Sequence, residues 1–195
     1  QEWKETQLPE LLSMASQLSG FNVNAIIEEL DGSIAFGVWD FQVGEMGPPA
    51  ANWAVTLGVG NAASAQRVFQ GEFQQVWDSS METEYSGMAF RLFERGPMPI
   101  AYGFLGDRLV VASGDEAMKK IIDVRTGDAP AFVSSDLFDE AVEGSPEGSV
   151  WPYILDVASL YETLQPNLPP QVQDTAMTLG LDNLNYISGW TVPTE

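Results

Sequence analysis

IAYGFLGDRLVVASGDEAMKKII, residues 100–122, reads as two strands joined by a tight turn at Gly106-Asp107 and followed by a helix. Glycine followed by aspartate supplies the positive φ angles that a two-residue hairpin loop needs. Ser113 and Glu116 have capping-box spacing: the serine accepts a bond from the helix backbone while the glutamate reaches back. Ala117, Met118, Ile121 and Ile122 then recur at helical spacing, with Lys119 and Lys120 outward. Strand, turn, strand, helix is therefore the local unit from which the rest of the chain is read.

Toward the N-terminus, Leu8, Leu11, Leu12, Ala15 and Leu18 of LPELLSMASQL (8–18) share one helical face, with Gly20 placed as C-cap. Ala25–Leu30 allows another helical turn, and Asp31-Gly32 turns the chain into a strand over Ile34–Phe41. Residues 42–50 form a loop, since Pro48-Pro49 cannot donate ladder bonds. A strand at Trp53–Val59 leads through Asn61, a good N-cap, into a helix from Ala62 to about Trp77. That helix puts Ala65, Val68, Phe69, Phe73, Val76 and Trp77 on one stripe. Gly71 weakens it by about 1 kcal/mol relative to alanine. Met88–Phe93 is a third strand, broken by Arg95-Gly-Pro-Met-Pro99.

Beyond the central unit, Ser134–Val142 reads as a short helix ended by Gly144-Ser-Pro-Glu-Gly148. Val150–Leu155 is a strand, Asp156 an N-cap and Val157–Leu164 a helix; after a proline-rich link, Gln171–Leu179 is helical and Gly180 its cap. Leu184–Val192 closes the chain as a strand-like run, whose hairpin partner is expected beyond Glu195 in a longer parent. A start at Gln1 without methionine fits a processed or excised piece. Three segments, Trp53–Phe69, Arg108–Ile122 and Val150–Leu164, repeat strand, turn and capped helix, and the first two each follow another strand. The expected class is α+β: a mostly antiparallel sheet with helices laid on one face and a weak duplication of a β-β-α unit. The chain (1–195) reads as a single α+β domain or a fragment of a longer one, divisible into two similar lobes at about 20–126 and 127–195.

Composition narrows the chemistry. The 28 acids against 8 bases give a net charge of −20, which repels nucleic acid and anionic lipid. Arg125 is the last basic residue; the 70 positions after it hold 11 acids. Cysteine and histidine are absent, so no disulfide, thiolate nucleophile or zinc site of sulfur and imidazole can form. No stretch approaches the roughly 18 apolar residues of a membrane span, so membrane insertion by this segment is not expected.

Carboxylates are the remaining acid–base material. Asp136, Asp139, Glu140 and Glu143 fall on one helical face, but no turn makes them converge as a calcium loop requires. They read as a solvated face, and Glu28-Glu29-Asp31 as a polar turn. The Ser-Ser runs at 79–80 and 134–135 lack a histidine base, and Lys4, Lys119 and Lys120 are the only lysines. Gly58-Val-Gly60 before a helix echoes a dinucleotide loop, with Ala63 in place of the third glycine. Of the six tryptophans, Trp53, Trp77 and Trp151 fall in expected core elements, Trp39 and Trp190 do so less cleanly, and Trp3 is read as exposed. No catalytic, cofactor-binding or metal-binding residue is assigned.

AYGFLGDRLVVASGDEAMKKIID resembles the most recognisable run of the bacterial domain-of-unknown-function family 3352. FVSSDLFDEAV, IIEELDGSIAFGVWDF, NWAVTLGVGNAASAQRVF and MTLGLDNLNYISGWTV are similar to further segments of that family, in the same order over most of residues 20–192. The resemblance implies an exported or membrane-tethered bacterial protein with an α+β outer part, and it supplies no catalytic residues. The resulting expectation is a non-catalytic extracytoplasmic domain, periplasmic or at the cell surface, that binds or scaffolds a protein or envelope component. The alternatives are a carboxylate-based hydrolase acting on glycans and a cation-dependent adhesion module.

Overall fold

The computed structural model describes residues 13, 22–42, 50–95, 98–143, 145–147, 150–180 and 184–191. All of the expected helix at 8–18 except Ser13, together with Trp3, Lys4, Pro48-Pro49 and the run from Val192 onward, lies outside them. Six strands form an antiparallel sheet: β1 Leu30–Gln42, β2 Ala50–Val59, β3 Met81–Tyr85, β4 Met88–Phe93, β5 Ile100–Leu105 and β6 Arg108–Ala112. Their order is β1-β2-β6-β5-β4-β3. After β2 the chain crosses to the far edge through α2 (Ala62–Glu72) and α3 (Gln74–Ser79), then meanders back until β6 pairs with β2. A short α1, Val23–Glu28, precedes β1, and α4, Asp115–Thr126, follows β6. The Gly106-Asp107 turn is present, with Gly106 at φ 63° and Leu105 opposite Arg108. With the helices, this is an α+β fold.

Register assigns each face. Leu57, Leu109 and Phe104 stand side by side across β2, β6 and β5. They pack with Val59 and Leu30 against Ala62, Ala65 and Phe69 of α2. On the other face Thr56, Val110 and Gly103 form a row, and Phe90 lies beside Gly103. Here α4 buries Ala117, Met118 and Ile122 completely, and Lys119 stands 5.7 Å from the Tyr85 ring centroid. Helices thus cover both faces, not one. The cause is β6, whose Leu109, Val110 and Ala112 are buried on alternating sides and need two covers.

The β-β-α order does recur as β1-β2-α2 and β5-β6-α4. The two copies differ in hand. Since β2 and β6 are adjacent and antiparallel, only a rotation about the sheet normal exchanges the hairpins, and such a rotation keeps each helix on its own face. With α2 and α4 on opposite faces, no rotation superposes them.

Four local readings need correction. The helix expected over 62–77 breaks at Phe73 (φ −107°, ψ 32°), two residues after Gly71. Asp31-Gly32 lies inside β1, where Gly32 at φ 86° kinks the strand instead of starting it. Ser113 does not form the capping box: α4 starts at Asp115, and the Ser113 hydroxyl accepts the Trp53 amide at 2.9 Å. Lys119 is not directed simply outward but lies across Tyr85, paired with Asp115.

The chain divides into two compact units, 1–38 with 52–126, and 39–51 with 127–195. In the second, α5 (Asp136–Glu143), α6 (Val157–Leu164) and α7 (Pro170–Thr178) accompany a two-stranded antiparallel sheet of β7 (Val150–Asp156) and β8 (Tyr186–Thr191). Asp156 caps α6 as expected, accepting from Ser159 N–H at 2.9 Å. The closing strand finds its neighbour within the chain, in β7. Among the described residues no helix is long and apolar enough to cross a membrane.

Gly103 is set directly against β4: a Cβ there would lie 3.0 Å from Phe90 Cβ and 3.2 Å from its Cα. Gly103→Val should destabilise the protein by about 1–3 kcal/mol through overpacking, read from the midpoint of urea unfolding.

Candidate functional site

In the first unit, α2 and α3 leave the β3–β4 side of their sheet face uncovered. A groove of about 520 Å³ results, within the range of small-ligand sites. Its floor carries Ala89, Arg91, Tyr102 and Phe104, and its wall Gln66 and Trp77. A second cavity of about 80 Å³, between α5 and the β7–β8 sheet, is too small for that role.

Arg91 organises the groove. Alternation along β4 buries Phe90 and Leu92 on the α4 side, so Arg91 faces the groove. Its Nε donates to Ser80 Oγ at 2.9 Å and Nη1 to Glu82 Oε2 at 3.0 Å. Nη2 donates to the carbonyls of Trp77 (3.1 Å) and Ser80 (3.0 Å). Those carbonyls lie at the C-terminal end of α3, where a cation is favoured. The guanidinium carbon also stands 4.8 Å from the Trp77 ring centroid, a cation–π contact. Ser80, itself buried, shares a 2.6 Å hydrogen bond with the Tyr102 hydroxyl. Trp77 and Tyr102 are tilted against each other with centroids 5.9 Å apart.

This arrangement offers aromatic surface with fixed polarity. It does not offer an activated nucleophile, because Ser80 Oγ meets Arg91, Tyr102 and a carbonyl. Among the described lining residues Glu82 is the one carboxylic acid, and Arg91 holds it. Hydrolysis of a glycoside by the usual route needs two such groups.

The residues singled out in the sequence lie elsewhere. Asp136, Asp139, Glu140 and Glu143 of α5 are all exposed, and no group of three or more acids among the described residues could hold a metal. Glu29 accepts from Ser64 Oγ at 2.7 Å and Asp31 from Ser33 N–H at 2.7 Å, so each serves a local contact. The side-chain oxygens of Asp31 and Ser33 lie directly over Gly58, in the space a Cβ would take. The Asp31 carboxylate beside this loop would repel a phosphate. Ser79 donates to Gln75 O, and Ser135 Oγ accepts from Phe138 N–H. Trp53, Trp39 and Trp190 are half-buried. Of those expected in the core, Trp77 lines the groove. Arg91 and Tyr102 carried no motif; the one available signal was a lone arginine within the apolar run MAFRLF.

Set against family models, curated proteins and solved structures, the chain matches none.

Two predictions follow from these contacts. Arg91→Met keeps most of the apolar volume but removes the guanidinium's bonds to Ser80 Oγ, Glu82 and the carbonyls of Trp77 and Ser80; it should cost about 1.5–3 kcal/mol by chemical denaturation, with loss of near-ultraviolet signal from Trp77. The Asp31 carboxyl is held below its usual 3.8, first by the Ser33 hydroxyl, then by Ser33 N–H, with Arg108 contributing less. A lowered folded pKa stabilises above the unfolded value and is lost as pH falls through the folded one. Asp31→Asn should therefore flatten the acid limb of stability against pH below about pH 4, measured by urea unfolding at several pH values.

Proposed function

We propose that this chain is a non-catalytic binding domain of a bacterial envelope protein, working outside the cytoplasm, with the groove beside α3 as its ligand surface. The supporting observation is the state of Arg91. Four acceptors and an aromatic face already engage it, so this cation serves to hold Trp77 and, through Ser80, Tyr102 in place. Preorganised aromatic planes beside satisfied polar groups suit recognition, since little is left to order when a ligand arrives. The extracytoplasmic placement draws on the resemblance of residues 20–192 to family 3352 and has no support from the groove itself.

Peptide and oligosaccharide arrays probed with the protein test this reading. Ligands should be retained by the native chain and lost on Ala89→Trp, which plants a ring on the exposed floor. Retention of nothing, or the same retention by both proteins, would remove the groove from consideration. Glycan turnover that stops with Glu82→Gln would replace binding with hydrolysis.

A further inference from the structure

β3 is an outer strand of the sheet, with β4 as its strand neighbour. The β3–β4 loop is Ser86-Gly87, both with positive φ (49° and 75°) as a type I′ turn requires. The carbonyl of Tyr85 therefore receives the amide of Met88, and bonding to β4 alternates back through Thr83 and Met81. The amides and carbonyls of Glu82 and Glu84 consequently point away from β4, along the edge that no strand of the described residues pairs. Their side chains are exposed on the groove face. Glu82 stands opposite Arg91 and Glu84 opposite Ala89. The intervening Met81 is 58% exposed.

We infer that this edge receives an extended basic segment of another protein by strand addition. The reading rests on the binding role proposed above and names the partner's chemistry. Residues of an added antiparallel strand that bond to Glu82 and Glu84 sit directly opposite them, so Lys or Arg at alternate positions meets the Glu84 carboxylate and the exposed side of Glu82, which Arg91 engages from the groove. The residue between them faces Met81 and Thr83 and is best apolar. A second copy of this chain is a poor occupant: at −20 it would set acid against acid, which is how edge charges deter self-pairing. The same charges favour a cation.

A labelled pentapeptide of alternating lysine and valine, blocked at both ends, is the probe, with affinity read by fluorescence anisotropy. The native protein should bind it saturably and more weakly as salt rises. Glu84→Gln should weaken binding modestly. Glu84→Pro should weaken it roughly tenfold further, because proline removes an outward amide while leaving the bonds to β4. Should that variant not fold, a peptide N-methylated at its lysines removes the matching donors from the ligand side and should lose affinity to the same degree. Equal binding by the proline and glutamine variants, or no effect of N-methylation, would reduce the interaction to general charge attraction and overturn the inference. So would failure of the native protein to bind. Binding that survives Glu84→Pro but disappears with Ala89→Trp would overturn the edge assignment while sustaining the groove as the binding surface.

Discussion

Three alanines in register, Ala54, Ala112 and Ala101, cross the middle of the sheet on the α4 side, none more than 3% exposed. Side chains this small let a helix settle close to the strands, and α4 does so with Ala117, Met118 and Ile122 fully enclosed. Burial of Met118 and Ile122, with Phe90 and Val110 beneath, is worth about 1.5–3 kcal/mol for each side chain. The constraint propagates. A sheet closed so tightly on one side still has Leu57, Leu109 and Phe104 on the other, and these draw in α2.

The second cover is incomplete, and the groove is what it leaves. α2 bears on β2, β6 and β5 through Ala62, Ala65 and Phe69, whereas α3 is a short helix that reaches β4 chiefly through the Arg91 contacts. An apolar closure there would have needed another helical turn. The chain spends a charged side chain instead, and keeps part of the sheet face open. Arg91 is 18% exposed in its side chain, so removing one of its partners leaves a largely desolvated cation.

Much of the fold could be read directly, where one or two residues carry the whole local signal. Gly106-Asp107, Asn61, Asp156 and Gly180 act at their own positions, through φ or a single side-chain oxygen. The misreadings share a different physics. Ser113 has the right spacing for a cap, but its hydroxyl is taken by the Trp53 amide, 60 residues away. β3, METEY, was invisible because two of its five residues are acids and an edge strand needs no apolar face. Asp31 and Ser33 look like turn residues until Gly58 gives them somewhere to sit on β2. The groove was hidden for the same reason: Arg91, Ser80, Trp77 and Tyr102 meet only after two strands and a helix have been placed.

The opposite hands of β1-β2-α2 and β5-β6-α4 bear on how such a chain could have arisen or be rebuilt. A segment copied in tandem carries its hand with it, so an unaltered copy of β1-β2-α2 would not match β5-β6-α4. A copied helix would have had to change sides and rebuild the core it left. The shared order reflects a common local code for strand, turn and cap. It also makes the modules non-interchangeable. A sequence aligned from α4 onto α2 would pair Met118 and Ile122 with positions that look toward the other side of the sheet, and grafting one for the other would expose the core of both.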